Sequence, residues 1–304
     1  SREELDAYAY ESHQRAIRAT DEGRFAGELI PLPVPATDEE PAQVLEADEG
    51  PRRETSLEKM ATLQPAFKPD GVVTAGNASQ ISDGASLVLV ASPEKARRLG
   101  LRPRARFVAS AVVGVDPILM LTGIIPATRQ VLQKAGLTLD QMDVIEVNEA
   151  FASVVLAWER ELQPDMTRVN PNGGAIALGH PLGASGTRLL ATALNELERR
   201  EGRYALITLC IGFGQAVATI IERLPEGAAG GGMISFQPSP EERELRQLAR
   251  EFAQSRLRPH ARAAEQAGRP PEALAQESRE LGLGGVALPE GWGGAGFSQV
   301  AACL

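Results

Sequence analysis

Apolar positions at helical spacing open the chain. Leu5, Tyr8, Ala9 and His13 share one face through about Thr20, behind a Ser1/Glu4 capping-box pattern. His13 is expected on the surface of that helix. Periodicity then fades, and the Pro-, Glu- and Asp-rich run from Asp21 to Lys59 predicts an irregular excursion without a core of its own. Ala85 to Val90 predicts a short apolar strand, and Pro93 to Leu99 a helix stopped by Gly100. From Arg104 the pattern turns regular. It gives a strand Phe107 to Val115, a helix Pro126 to Ala135 stopped by Gly136, a strand Val144 to Val147, and a helix Ala150 to Leu162 with Val154, Val155 and Trp158 on its buried stripe. A strand near Val169, a helix after Gly186, and strands Tyr204 to Leu209 and Gln215 to Ile221 complete a βαβαβαββ unit, an α/β fold.

Between Asn170 and Gly186 glycine and proline are too frequent for a packed element and charge too sparse for a solvated linker. The stretch reads as a loop that brings backbone close to a ligand, with His180 just ahead of a helix start where free N–H groups converge. It is no phosphate cradle of the common kinds, since it holds neither Gly-Lys-Ser/Thr nor Gly-x-Gly-x-x-Gly. Behind Leu224, residues 225–232 have linker composition. Ser239-Pro240-Glu241-Glu242 then predicts a helix start, with Leu245, Leu248 and Phe252 on one face and an end near Pro259, and a second helix runs from about Pro271 to Leu281.

Composition narrows the function classes. The 304 residues, 43% of them hydrophobic, allow about two domains. A net charge of -9 argues against a nucleic-acid partner, and no apolar run reaches membrane-spanning length. Cys210 and Cys303 give no disulfide framework, and the scattered His13, His180 and His260 give no case for a metal site. A cytoplasmic, reducing setting is expected. The opening Ser1-Arg2-Glu3-Glu4, without initiator methionine or signal peptide, reads as a cut.

Three stretches occur in a telling order: Asn148-Glu149-Ala150-Phe151-Ala152, Gly179-His180-Pro181, and Cys210-Ile211-Gly212-Phe213-Gly214. Together with Phe67-Lys68-Pro69-Asp70-Gly71 and Thr74-Ala75-Gly76-Asn77-Ala78-Ser79 they resemble the thiolase family. The resemblance implies an acetyl-CoA C-acyltransferase that thiolyses 3-ketoacyl-CoA or condenses acetyl-CoA. Coenzyme A would be a substrate, no cofactor would be tightly bound, and the complete enzyme would be a homo-oligomer. His180 would activate a nucleophilic cysteine and donate to the thioester oxygen. Asn148 would complete that oxyanion hole through a water, Cys210 would be the second acid/base, and the Gly212 N–H would serve a second oxyanion hole. An acid/base Cys210 would need its pKa brought down from about 8.5 toward neutrality. Arg52, Leu63, Phe67, Ala75 and Ser79 fall on positions that touch CoA, and Met120 and Phe151 on positions around the acyl pocket. Residues 1–100 would hold the end of the N-terminal half and the loop domain over CoA, and 101–224 the C-terminal domain.

Leu281-Gly282-Leu283-Gly284 and Pro289-Glu290-Gly291-Trp292-Gly293-Gly294 resemble the N-terminal helical part of acyl-CoA dehydrogenases, here 233–304. The flavin-binding part of those enzymes is not matched, so neither FAD nor dehydrogenation is expected. The chain also departs from thiolases: Phe213 and Ala216 stand where glycine is usual, and Leu121-Thr122 replaces a Met/Gly-type pair. The family's nucleophilic cysteine has no counterpart in these residues, so the N-terminal half that bears it becomes an expected partner and the chain alone is expected to be inactive. The rival from another class is a non-catalytic CoA-binding or assembly module. A ketoacyl-synthase-type condensing enzyme is disfavoured by the residues around its histidines.

Overall fold

A capped amphipathic helix begins the structure because Ser1 accepts from the Glu4 backbone N–H while the Glu4 side chain reaches back, so helix α1 spans Arg2–Asp21. The computed structural model describes residues 1–36, 41–225, 247–260 and 271–281. The chain divides into two compact units, Ser1–Met233 and Ile234–Leu304. The linker composition at 226–232, the Ser239 cap, Leu245, the glycine-rich run after Leu281 and Cys303 lie outside the described residues.

The inner face of α1 is built of Leu5, Ala9, Ala16 and Ala19, all buried, and the alanines let neighbouring backbone come close. His13 is on that face and not on the surface. It is 4% exposed, its Nδ1 accepts from the Arg52 N–H at 3.1 Å, and burial, with the Arg52 charge, lowers its pKa to about 4. The helical spacing that included it was correct; its polarity suggested the wrong side. The excursion after α1 holds a small antiparallel pair, β1 Leu32–Val34 with β2 Gln43–Leu45, and a short helix α2 Leu57–Ala61 capped by Ser56.

Ala85 to Val90 forms no strand: it carries no ladder partner among the described residues, and Leu87 and Leu89 are exposed. An apolar run becomes a strand only where another backbone supplies the hydrogen bonds. Helix α3 follows at Pro93–Arg98, with Gly100 in the left-handed region beyond it.

The main sheet is four-stranded, in the order β3 Ala105–Gly114, β6 Gln215–Arg223, β5 Tyr204–Cys210, β4 Val144–Val147. β6 runs antiparallel to both of its neighbours, and β4 is parallel to β5. The strand expected near Val169 is reduced to one parallel bridge, Ile145 with Val169, so the predicted βαβαβαββ unit loses its third strand. The chain there turns at once into a buried loop. One sheet face packs on α4 Ile124–Ala135 and α5 Ala152–Leu162 around Ile145, Val147, Trp158, Leu206 and Ile220. Trp158 is fully buried, and its indole N–H donates to Thr128 Oγ1 at 3.0 Å. The other face packs on α7 Ser185–Arg199 through Val144, Leu189, Ala193, Leu197 and Ile207. The four-residue helix α6, Ala175–Leu178, lies between the bridge at Val169 and α7.

In the second unit, residues 247–260 are helical and helix α8 spans Glu272–Glu280. Among the described residues of this unit Phe252 and Leu274 are buried, and Arg256 pairs with Glu277 at 2.8 Å. No described helix is long and apolar enough to cross a membrane.

Candidate active site

The stretch that read as a ligand-facing loop is split in two by burial. Asn170 to Gly179 is wholly buried and tied to α1, while His180 to Gly183 is partly or fully exposed. Glu149 is what holds the buried part. Its Oε1 accepts from Tyr8 Oη at 2.7 Å and Asn170 Nδ2 at 3.1 Å, and its Oε2 accepts from Ser12 Oγ at 2.7 Å and the Ile176 N–H at 3.1 Å. Four donors around one buried carboxylate replace the water it gave up. Asn170, with φ at 43°, also bonds Val147 on both sides of its amide, so the loop is fixed to the end of β4. Gln80 adds a second tie: its amide N–H groups reach Gly50 O, Ile176 O and Ala177 O, and its own carbonyl accepts from the His180 N–H at 3.1 Å.

On that base stands His180, half-buried. Its Nδ1 lies 2.6 Å from Ser185 Oγ, and the Ser185 hydroxyl donates to Pro181 O at 3.0 Å. Because that hydroxyl spends its proton on the carbonyl, the network assigns the proton to Nδ1 and leaves the lone pair on Nε2. Nε2 in turn accepts from Asn148 Nδ2 at 3.2 Å. Asn148 is buried, its N–H donates to Thr208 O across β4 and β5, and its Oδ1 has no protein partner. Burial, assisted by the Arg188 charge, lowers the His180 pKa, so the imidazole is neutral at neutral pH. A fixed neutral imidazole with its basic nitrogen at the C-terminal end of a parallel strand pair can take a proton from an acid presented there.

Cys210 ends β5, two residues beyond Thr208, which puts it at the same end of the sheet as Asn148. It is a free thiol, and burial pushes its pKa up. The expected lowering toward neutrality is therefore overturned: the apolar surroundings outweigh the opposing backbone hydrogen bond. Gly212 is exposed, with open space where a side chain would stand. Beside it Phe213 adopts φ 62° with 85% of its surface exposed. A left-handed phenylalanine with little burial to offset it is strained, so Phe213→Gly is expected to stabilise the first unit by about 0.5–1 kcal/mol in urea unfolding.

The remaining sequence-derived positions fall into groups. Residues 77–79 run antiparallel beside 150–152, with Ser79 N–H donating to Ala150 O and Ala152 N–H to Asn77 O. This sets Ala78 opposite Phe151 and Ser79 opposite Ala150, and Phe67 meets the Phe151 ring edge-on at 5.9 Å. Leu63 packs against Gly76, and Ala75 is exposed. Met120 sits at φ 25° before the turn Leu121–Gly123, which packs on the Gly212–Gly214 turn. Arg52 is exposed, and its backbone touches His13. Ser185, Gln80 and the Glu149 network escaped the sequence reading, although a lone acid between a buried strand and a buried helix was a usable signal. Among the described residues no group of three or more His, Cys, Asp and Glu is arranged to hold a metal ion.

Comparison with known proteins agrees with these motifs. Residues 1–94 match the thiolase N-terminal domain family, 101–223 the thiolase C-terminal domain family, and 239–304 the acyl-CoA dehydrogenase N-terminal domain family. A beta-ketoadipyl-CoA thiolase of Acinetobacter baylyi is 53% identical over 225 residues, covering 73% of this chain and 56% of the relative. A steroid 3-ketoacyl-CoA thiolase of Mycobacterium tuberculosis is 55% identical over 224 residues, covering 74% and 53%. The chain thus spans about half the length of the curated relatives it matches. Human mitochondrial 3-ketoacyl-CoA thiolase in complex with CoA superposes with a TM-score of 0.68 at 45% identity, covering 74% of this chain and 55% of that one. The Bacillus anthracis acetyl-CoA acetyltransferase superposes with a TM-score of 0.71 at 42% identity, covering 74% and 56%. Through residues 1–223, the chain belongs to the thiolase family, with an acyl-CoA dehydrogenase-like segment behind it.

Proposed function

We propose that residues 1–223 form the acid/base side of a thiolase-type acyltransferase site acting on acyl-CoA thioesters. The observation that carries this reading is the imidazole of His180, whose Nδ1 is held by Ser185 and whose Nε2 lone pair is met by Asn148 at 3.2 Å. In this reading Nε2 takes the proton of a thiol nucleophile, and the resulting imidazolium N–H, with Asn148, faces the oxygen of the thioester as charge builds there. Cys210 works on the other substrate. In thiolysis a carbon–carbon bond breaks, the departing acetyl-CoA enolate needs a proton at its α-carbon, and a thiol kept protonated by burial is the form that can give one. The Gly212 N–H is the donor for a second oxyanion, the one formed when the thiolate adds to the 3-keto carbonyl. The Cys210 thiolate left by that proton transfer takes the thiol proton of incoming CoA, whose sulfur attacks the acyl group; the acyl–nucleophile C–S bond breaks, and the released thiolate takes its proton back from the His180 imidazolium.

CoA would lie along Arg52, Leu63, Phe67, Ala75 and Ser79, with Met120 and Phe151 at the acyl end. That the relatives are thiolases, one of them solved in complex with CoA, supports CoA as the ligand; the individual residues are carried over from the family resemblance. The chain would then divide into 1–100 with the loop domain, 101–224, a linker 225–232 and 233–304. Cys210 must stay reduced, which suits the cytoplasm. Assembly with a region bearing the nucleophile, and a homo-oligomeric complete enzyme, belong to the same reading.

These 304 residues offer only Cys210 and Cys303 as thiols. Cys210 cannot both hold the acyl group and move the proton. Incubated with acetoacetyl-CoA and CoA, the chain by itself is expected to show no acyl adduct by intact mass and no steady release of acetyl-CoA. An adduct mapped to Cys210 would overturn its acid/base role.

A further inference from the structure

Two ionisable side chains with buried, unpartnered atoms, Glu146 and Arg188, stand on the elements that hold His180, and the mechanism above uses neither. On β4 the two-residue repeat sets Glu146 on the same face as Asn148, and on α7 the three-residue spacing sets Arg188 on the same face as Ser185. Asn148 and Ser185 are the two side chains bonded to the imidazole, and β4 packs against α7. Glu146 is fully buried and neither carboxyl oxygen has a partner; the Nε and Nη2 of Arg188 are likewise buried and unpartnered. Unmatched donors and acceptors of this kind cost about 1–3 kcal/mol each, so packing alone gives no reason to keep them. Each element therefore delivers one ligand of the imidazole and one of these two ionisable groups.

We propose that Arg188 and Glu146 are positioning residues for His180, the guanidinium acting as a fixed positive charge that keeps the imidazole neutral and the carboxyl acting as the group that balances that charge only when it ionises. The charged groups around the pair agree with this assignment. Burial raises the Glu146 pKa to about 8, with Arg188 opposing and Glu149, Glu28 and Glu196 reinforcing the rise. Glu196 is already paired with Arg199 and Arg200, and Glu149 with its four donors. Glu28, held by Thr192 and Asn195 of α7, and Asp48 are both raised by burial and both feel Arg188. Below about pH 8 Glu146 is thus neutral, and the Arg188 charge lowers His180 without a counterweight from that carboxyl. Above it, the Glu146 carboxylate offsets the guanidinium.

That His180 serves as a base rests on the acyl-transfer reading; its titration does not, so the two can fail separately. The chain has three histidines, and His180→Gln identifies the relevant signal in histidine-selective NMR of the full chain. The wild-type imidazole is expected to show its own midpoint below 6.5 and a smaller second inflection near pH 8. Arg188→Gln should move the first midpoint to higher pH, and Arg188→Lys, which keeps the charge, should not. Glu146→Gln, nearly isosteric and testable even if Arg188→Gln does not fold, should delete the second inflection and leave the first in place. A folded Arg188→Gln with an unmoved midpoint, an equal rise in Arg188→Lys, or a second inflection that survives Glu146→Gln would overturn the proposal.

Discussion

Gly174→Ala is expected to destabilise the first unit by roughly 3 kcal/mol or more, although its backbone φ of -146° is open to any residue. The cost comes from space. A methyl group at Gly174 would stand 2.5 Å from Glu149 Oε2 and 2.6 Å from Oε1, so the carboxylate must leave the four donors that hold it. Displacing it strands Tyr8, Ser12, Asn170 and the Ile176 N–H together, each of which then faces a buried site without its acceptor. Glu149→Gln separates shape from charge. Every neighbour is a donor, so an amide in place of the carboxylate points its own N–H₂ at two of them, and this variant should also lose stability. Urea unfolding, with hydrogen exchange of peptides covering α1 and residues 170–178, reads both. Alanine at 174 without faster exchange in those peptides would show that the loop can move aside.

Much of this arrangement was legible in the sequence, because period and punctuation carry it. The Ser1/Glu4 cap, the Gly136 stop, and the strands at 144, 204 and 215 follow from local patterns that the tertiary structure did not override. The family resemblance puts Asn148 and His180 at one oxyanion hole with a water between; the direct 3.2 Å contact of Asn148 Nδ2 with His180 Nε2 is not legible in the sequence. What stayed hidden depends on partners far away in the chain. Ala85 to Val90 has strand composition but no ladder, Val169 keeps one bridge, and His13 is buried because Arg52 supplies a donor thirty-nine residues away. An acid/base Cys210 calls for a lowered pKa, whereas burial in the packed sheet raises it. Residues 170–178 looked ligand-facing because glycine serves close approach to any neighbour. Here the neighbours are Glu149 and α1: a side chain on Gly173, at φ 78°, would meet Ser12 O at 2.6 Å.

His180→Ala, in a chimera that places residues 1–223 in the matched region of the Acinetobacter baylyi relative, is expected to lower kcat/KM for thiolysis by about 10³–10⁴. The size follows from two roles lost together. Without the imidazole no group takes the proton from the nucleophilic thiol, a contribution of roughly 10²–10⁴, and the thioester oxygen loses a donor that would otherwise meet it beside Asn148. The unsubstituted chimera should turn over, since it joins the His180, Asn148 and Cys210 of this chain to a nucleophile. Its rate should fall as pH drops through the His180 pKa, because the base works only when neutral, and burial places that limb below 6.5. Asn148→Ala should be milder, since the imidazole keeps Ser185 as its orienting partner. A folded chimera that binds CoA but does not turn over would favour the binding-module reading. A fully active chimera in which His180→Ala costs less than tenfold would place the base on another residue.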